Sequence, residues 1–307
     1  MGIPRVSIAL PVHNGENYLD AAIRAFQAQT FEDFELVLSD NASTDRTAQI
    51  GRDWAATDAR VRYYRSTVNR GASWNFNRAY ELSVGTYVKW AAHDDLCAPA
   101  FLERCVDVLE RRPAVVLCHT ECRVIGPQGE AVEDYGVHLR TDAAWPRHRF
   151  YDLLFVKNRC YEIFGLIRRS VLRQTRLMGS YPVADRVLLA ELALRGPFHQ
   201  VPERLFHPRL HPSQSTQALI TQHQRVAWFD TRRAARIVFP EWRALAEYSY
   251  AVAHAPIGPT DRLVCALYML NWARCYRKRM RHDLRVAVRQ ALAALLHKRP
   301  LQQVQTT

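Results

Sequence analysis

The sequence predicts an α/β fold in which helices flank a mostly parallel central sheet. Short β-rich apolar runs alternate with helical patterns from Val6 to Cys118, an alternation typical of parallel strands joined by crossover helices. A nearly continuous helical pattern from Gln217 onward adds an α-helical C-terminal extension. With 307 residues the chain is long enough for one large domain, or for a domain plus such an extension.

The alternating part contains apolar runs that predict strands, with helical patterns between them. The strands are expected at Val6–Leu10, Phe34–Leu38, Val61–Tyr64, Tyr87–Ala91 and Ala114–Cys118. The helices are expected around Leu19–Phe26, from the Asp40–Asp45 turn to about Ala55, over Trp74–Leu82, and from Pro99 through Leu109. Right-handed crossovers bring the loops after Leu10, Leu38 and Ala91 to one sheet edge. Open α/β sheets bind ligands at that edge.

The pattern changes beyond Cys118. The segment at 124–130 predicts a hairpin turn, and a short strand is expected near His199–Val201. Helices are expected at Phe150–Val156, Arg168–Gln174 and Val187–Leu194, and the later helical pattern is broken around Pro240 and at Pro256–Pro259. We therefore divide the chain into a first unit at 1–216 and a helical extension at 217–307.

Positive charge is concentrated near the C-terminus. Residues 274–299 hold nine lysines and arginines against one acid, so they supply eight of the twelve net positive charges. Apolar residues at 284, 288, 291, 292 and 295 form one helical stripe among them. This helix could lie on an anionic membrane surface, or it could pack on the first unit with its basic face in water. Nucleic-acid binding is not expected, because no motif for it is present.

The seven cysteines are odd in number and form no paired motif, and no targeting segment follows Met1. These features predict a reducing, cytoplasmic location, at the inner face of the cell membrane if the basic helices dock there.

Two acidic features follow predicted strands. Asp94 and Asp95 end the run that begins at Tyr87, and adjacent carboxylates need a cation or sugar hydroxyls to hold. A helix N-cap before Pro99 is the alternative explanation for this pair. Asp40 lies at a strand end before its turn closes, a position that suits hydrogen bonding to a base or ribose. The glycine-rich dinucleotide and P-loop motifs are absent.

The chain resembles family 2 glycosyltransferases, which have the GT-A fold, from residue 5 to about 216. The resemblance rests on nine motifs that follow one another in the family's order. They are VSIALPVHN (6–14), QTFEDFEL (29–36), SDNASTD (39–45), NRG (69–71) with Asn77, GTYV (85–88), HDD (93–95), FGLIRR (164–169), AD (184–185) and RLHPSQS (209–215).

By position, the resemblance implies which residues bind the nucleotide-sugar donor. They are Pro11, Val12, His13, Glu16, Asp40, Asn69, Arg70, Asp94 and Arg209. Within this set His13 would stack on the base, Asp40 would bind the base, most often uracil, and Asp94 would hold the ribose or sugar. Trp74 and Trp90 are expected in the core and not against a sugar.

The resemblance also implies a metal site and a catalytic base. Asp95 and His211 would bind Mn²⁺ or Mg²⁺, with His93 standing where many relatives have an acid. Asp185 matches the aspartate that opens a helix in the second half of the family's domain and deprotonates the acceptor. Relatives often have Glu-Asp there, whereas this chain has Ala184 before Asp185. Alternatively, Asp185 could be a first-turn carboxylate that the helix dipole stabilises, and His211 could be an exposed loop histidine.

The implied function is inverting transfer of a sugar from a nucleoside diphosphate donor, in the first place a UDP-sugar. The acceptor would be a glycan or a lipid-linked sugar in cell-surface polysaccharide or glycolipid synthesis. Two alternatives stay open: a nucleotidyltransferase of related fold, and a catalytically silent nucleotide-binding or membrane-scaffold protein.

Overall fold

A mixed sheet forms the centre of the computed structural model, which describes residues 2–219, 221–233 and 236–297. In this part of the chain the sheet has nine strands, and its order is β3-β2-β1-β4-β8-β6-β9-β5, with β7 paired to β6. The strands are β1 (Val6–Val12), β2 (Phe34–Asp40), β3 (Val61–Arg65), β4 (Tyr87–Trp90), β5 (Leu96–Cys97), β6 (Leu117–Ile125), β7 (Ala131–Tyr135), β8 (Leu166–Arg168) and β9 (Phe198–His207).

Helices cover both faces of this sheet. They are α1 (Leu19–Gln27), α2 (Thr47–Thr57), α3 (Ala72–Leu82), α4 (Phe101–Arg111), α5 (Pro146–Phe155), α6 (Arg169–Leu172), α7 (Ala184–Arg195), α8 (Ser215–Ala218), α9 (Gln222–Phe229), α10 (Pro240–His254) and α11 (Pro259–His297). Short 3₁₀ helices lie at Tyr161–Phe164 and Thr231–Arg233.

The first four expected strands form the parallel half of the sheet. β1 pairs in parallel with β2 and β4, and β2 pairs in parallel with β3, as the alternation predicts. All seven residues of β1 and of β2 are buried, because helices cover both of their faces. The carboxyl ends of β1, β2 and β4 therefore lie at one edge.

The second half of the sheet differs from the expectation: β5 was not predicted, and β9 extends over Phe198–His207 where only a short strand near His199–Val201 was expected. The fifth strand, predicted at Ala114–Cys118, begins only at Leu117 and continues to Ile125, because it pairs with β7 in the expected hairpin and also with β9. The predicted helix at Arg168–Gln174 is helical only over Arg169–Leu172. The three preceding residues form β8, which is antiparallel to β4 and β6.

The C-terminal helices pack on the same core as the sheet. Tyr248 of α10 and Trp272 of α11 belong to the buried cluster that contains Phe150 and Leu188. Helix α10 has Pro240 in its first turn, and α11 begins at Pro259, as the expected breaks indicate. The division at residue 216 stays a prediction.

Helix α11 packs through a face beside its predicted apolar stripe and not through the stripe itself. Met280, Asp283 and Ala287 are buried, whereas Leu284 and Val288 are exposed. The helix therefore packs on the domain while Leu284 and Val288 of the stripe face outward, and membrane docking stays a prediction. The side chain at 295 lies outside the described residues. Within the described ranges, every helix is too short or too polar to cross a bilayer.

Candidate active site

The loops after β1, β2 and β4 meet at one edge of the sheet, as the sequence predicts. The N–H of Asn41 donates to the carbonyl of Val12 at 2.9 Å, and the Asn75 side chain donates to the carbonyls of Val12 (3.2 Å) and Ser39 (2.8 Å). Gly15 lies against His93, where a Cβ atom would approach the His93 ring to 2.6 Å. A side chain at position 15 would therefore separate the first loop from the third.

The predicted nucleotide residues at the first loop divide into buried and exposed members. Pro11 and Val12 are buried in β1, and His13 is exposed. His13 Nε2 lies 3.1 Å from the side-chain nitrogen of Asn69, whose side-chain oxygen accepts a hydrogen bond from Asn41 at 2.9 Å. His13 and Asn69 thus form one side of a crevice above the strand ends.

Two of the predicted donor-binding carboxylates already have protein partners. Glu16 accepts hydrogen bonds from the backbone N–H of Arg46 at 3.0 Å and from its Nε at 3.2 Å. Asp40 is fully buried and accepts hydrogen bonds from the Ser43 N–H (2.8 Å) and the Tyr63 hydroxyl (2.7 Å). Burial raises the pKa of Tyr63, and the hydrogen bond of its hydroxyl to Asp40 raises it further. Asp40 therefore fixes the turn after β2 in addition to any role in base binding.

The predicted acidic pair contacts the predicted C-terminal motif. Arg209 donates from its backbone N–H to Asp95 Oδ1 and from its side-chain Nε to the carbonyl of Asp94, both at 2.8 Å. His211 Nε2 lies 3.0 Å from Asp94 Oδ2. Residues separated by more than a hundred positions in the sequence therefore form one cluster. The N-cap alternative for the acidic pair fails, because α4 begins at Phe101 without a side-chain cap.

Arg209 is buried in this cluster, where its guanidinium donates to backbone carbonyls. Its guanidinium also donates to the carbonyls of Gly126 (2.9 Å) and Pro127 (3.0 Å) and lies over the ring of Tyr18, 4.6 Å from its centroid. Tyr18 in turn packs on His211 with ring centroids 4.9 Å apart. Arg209 thus positions the acidic pair, and its predicted role in donor binding stays a prediction.

The electrostatics of the pair favour a bound cation. Burial, with the adjacent Asp94, raises the pKa of Asp95 well above its usual value, because these two effects outweigh the stabilisation that Arg209 and Lys89 give the ionised form. The described residues contain no cluster of three or more metal-ligating side chains. Mg²⁺ commonly binds through one or two carboxylates together with substrate phosphates, so Asp94 and Asp95 fit a metal that arrives with a diphosphate. Asp95 and His211 were the two expected metal ligands, but the hydrogen bond of His211 is to Asp94 and not to Asp95.

Asp185 lies in the first turn of α7, two residues after Val183, which has a left-handed conformation (φ 65°). Its Oδ1 accepts a hydrogen bond from the Arg186 N–H at 2.8 Å. Burial raises the pKa of the Asp185 carboxyl. The Arg186 side chain donates to the carbonyls of Leu153 (3.2 Å) and Asn158 (2.9 Å), so it does not form an ion pair that would neutralise Asp185. A carboxylate of this kind suits a general base.

Several residues of the site were not singled out from the sequence. Asn75 joins β1 to β2, Tyr18 packs on the Arg209 cluster, and buried Lys89 donates to the carbonyl of Phe164. The assignment of Trp74 to the core was wrong: Trp74 is partly exposed and carries the Arg70 guanidinium 4.8 Å from its ring centroid. Trp90 is fully buried, as expected.

Comparison with known proteins gives the family. A family model described as glycosyl transferase family 2 matches residues 7–174. An uncharacterized glycosyltransferase of Haemophilus influenzae is 25% identical over 224 residues, which are 69% of this chain and 68% of that protein. The putative glycosyltransferase EpsE of Bacillus subtilis is 29% identical over 135 residues, 44% of this chain and 46% of EpsE. This chain therefore spans less than half the length of some curated relatives.

Solved structures share the fold at low sequence identity. Staphylococcus aureus TarS residues 1–349, in complex with UDP-GlcNAc, superimposes with a TM-score of 0.66 at 14% identity, over 89% of this chain and 73% of that one. The mannosyltransferase PcManGT of Pyrobaculum calidifontis, in complex with GDP-Man and Mn²⁺, gives a TM-score of 0.53 at 18% identity, over 97% and 89% of the two chains. The expected GT-A fold is confirmed. The chain belongs to glycosyl transferase family 2.

Proposed function

We propose that the protein is an inverting, metal-dependent glycosyltransferase that uses a UDP-sugar. The observation that carries this proposal is the Asp94–Asp95 pair, fixed by Arg209 and His211 at the strand edge where open α/β sheets bind ligands. Two adjacent, partly buried carboxylates there match what a metal-bound diphosphate requires.

The 3₁₀ helix at Tyr161–Phe164 links this pair to Asp185. It packs against β4, β6 and α7. Burial raises the pKa of Tyr161, and the charge of Asp95 raises it further. Burial also raises the pKa of Glu162, and the charge of Asp185 adds to that increase. Asp95 and Asp185 thus each act electrostatically on a residue of this short helix.

In the proposed reaction the oxygen of an acceptor hydroxyl attacks the anomeric carbon, and Asp185 takes the proton of that hydroxyl. The new C–O bond forms on the face opposite to the bond that breaks, and the nucleoside diphosphate leaves with the bonding electron pair. Mn²⁺ or Mg²⁺ bound at Asp95, with Asp94 and His211 beside it, would offset the charge of the leaving diphosphate. His13, Asn69 and Asp40 are the proposed neighbours of the base and ribose.

Thermal shift with UDP-, GDP- and dTDP-sugars in the presence of Mn²⁺ tests donor binding. A UDP-sugar is expected to raise the melting temperature most, since ligand at about 100 times its Kd stabilises by about 2.7 kcal/mol. EDTA should abolish the shift, and Asp95→Asn should weaken it. No shift with any donor contradicts the proposal. Release of pyrophosphate from a nucleoside triphosphate and a sugar phosphate would instead identify a nucleotidyltransferase.

We further propose that the outward face of α11 lies on an anionic membrane surface, where a lipid-linked acceptor would be found. The helix has 39 residues and is about 58 Å long at 1.5 Å per residue. Along one side it exposes apolar residues at both ends and basic residues between and beside them. These are Leu263, Leu267, Leu270, Leu284, Val288 and Leu292, each 44–66% exposed, and Arg274, Arg277, Lys278, Arg281 and Arg285. Such a face suits an interfacial helix.

Vesicle flotation of the full chain tests this surface. Binding to phosphatidylglycerol vesicles is expected, with little binding to phosphatidylcholine. The double variant Leu267→Glu/Leu270→Glu should lose binding, whereas Val132→Glu, which places the same change at an exposed apolar position of β7, should not. If the double variant floats as well as Val132→Glu does, the outward face of α11 does not bind the membrane.

A further inference from the structure

A cavity lies between the first unit and the C-terminal helices. Its volume is about 310 Å³, and its walls come from α3, from the segment Arg176–Tyr181, and from the chain around α9 and α10. Four arginines and three aromatic residues contribute to these walls: Arg70, Arg176, Arg232, Arg243, Trp74, Tyr181 and Phe229. Arginine beside aromatic rings suits a ligand that combines an anionic group with a sugar face.

Buried carboxylates hold these arginines in place. Glu247 bonds both Arg176 (2.8 Å) and Arg243 (2.5 Å), while it is itself 5% exposed. Asp230, 4% exposed, pairs with Arg232 at 3.1 Å and with Arg233 at 3.4 Å. In each group one acid fixes two arginines, so one positive charge per group is left over.

Arg70 adds a further positive charge. Among the described residues no carboxylate lies within ion-pair distance of Arg70, whose guanidinium stacks over Trp74. The half-exposed side chains of Arg176 and Arg243 have guanidinium N–H groups beyond those that Glu247 uses. The cavity therefore has a preorganised excess of hydrogen-bond donors and of positive charge, and an anion would satisfy both.

The walls of the cavity continue into the candidate active site. Arg70 follows Asn69, which contacts His13 at the crevice, and Tyr181 precedes Asp185 by four residues. The backbone between these walls is fixed, because Ser73 and Asn77 of α3 donate to the carbonyl of Met178 at 2.7 and 2.9 Å. Short lengths of chain thus join the cavity walls to Asn69 of the nucleotide crevice and to the proposed base, Asp185.

We propose that this cavity binds the acceptor, and that the acceptor is a sugar carrying an anionic group, either a phosphate or a carboxylate. The inference rests on the proposed function, because it assigns the second substrate of that same site. Trp74 and Tyr181 would contact the sugar, and the arginines would bind the anion. The helical extension then contributes to substrate selection through Arg232 and Arg243.

Binding to the full chain is measured by calorimetry with UDP and Mn²⁺ at saturation, so that the nucleotide crevice is filled. The probes are N-acetylglucosamine 1-phosphate, methyl glucuronide and neutral methyl N-acetylglucosaminide. At least one anionic probe is expected to bind, more tightly than the neutral one, and their ranking tells phosphate from carboxylate. Arg176→Gln and Arg232→Gln should each weaken that binding by about tenfold or more, as for a lost charged hydrogen bond.

Two controls separate binding from folding. Arg176→Lys keeps the charge and the pairing with Glu247, and should retain most of the affinity. Arg104→Gln removes a half-exposed, carboxylate-paired arginine on α4 and should change nothing. Unchanged affinity in both glutamine variants, equal binding of the neutral probe, or no binding of any probe overturns the cavity assignment. Failure of UDP itself to bind, measured separately, contradicts the proposed function instead.

Discussion

Replacing Asp185 with asparagine separates the proposed chemistry from binding and folding. Asparagine has nearly the same volume, and its amide oxygen can still accept the Arg186 N–H that now donates to Asp185 Oδ1 at 2.8 Å. The first turn of α7 should therefore keep its conformation. What asparagine cannot do is accept a proton from an attacking hydroxyl.

The expected loss follows from the contribution of a positioned general base. Such a group supplies about 10²–10⁴ in rate, so kcat should fall by that factor, equivalent to about 3–5 kcal/mol of barrier. The KM for the donor should stay near its original value, since Asp185 belongs to α7 and not to the strand edge. Because burial raises the pKa of Asp185, activity in the original protein should fall with decreasing pH from a point above the ordinary aspartate range.

The assay is release of nucleoside diphosphate in the presence of an acceptor, measured against pH for both proteins, with donor affinity from thermal shift. Asp185→Asn should lose turnover and keep its donor affinity. Full turnover in the variant refutes the base assignment. Loss of donor affinity together with turnover would show that Asp185 maintains the site and not the proton transfer.

Three further predictions concern stability. Arg209→Ala leaves the carbonyls of Asp94, Gly126 and Pro127 without their donor, and should cost about 2–4 kcal/mol in urea unfolding. Trp272→Ala should cost about 3–5 kcal/mol and lower the urea midpoint without changing the m-value, since Trp272 is 4% exposed in the shared core. Hydrogen bonding to Arg60 lowers the pKa of Asp58 to about 2. This pair should therefore stabilise the protein above about pH 4 and lose its effect as the pH falls toward 2. The stability difference from Asp58→Asn, followed over that range, checks the window; a constant difference contradicts it.

The sequence was sufficient for the parallel half of the sheet, because β1, β2 and β4 carry apolar runs separated by helix-length patterns. It was insufficient for β8, since three residues are too few for a periodic signal and pairing with β4 and β6 decides their conformation. The loop edge followed from topology. The Arg209 cluster and the contact of His211 with Asp94 depend on long-range packing, which no local pattern encodes.

The sequence pattern also could not show which face of α11 packs on the domain. Periodicity finds an apolar stripe, but a long helix can have two. The residues that pack inward, such as Met280 and Ala287, are interrupted by the acidic Asp283, which weakens the inward stripe in the sequence. Only the tertiary contacts with α5 and α10 identify which face is covered.

Gly71 sets a condition on exchanging parts between relatives. It has a φ of 90°, and a Cβ there would come within 2.5 Å of the carbonyl oxygen of Phe229, while the Thr231 hydroxyl donates to the carbonyl of Asn69 at 3.0 Å. The loop after β3 is therefore fitted to the backbone of the extension. A chimera that joined residues 1–216 to a different helical extension would have to reproduce the backbone path at Phe229–Thr231. Swapping the extension to change acceptor choice should succeed only when that short segment is kept.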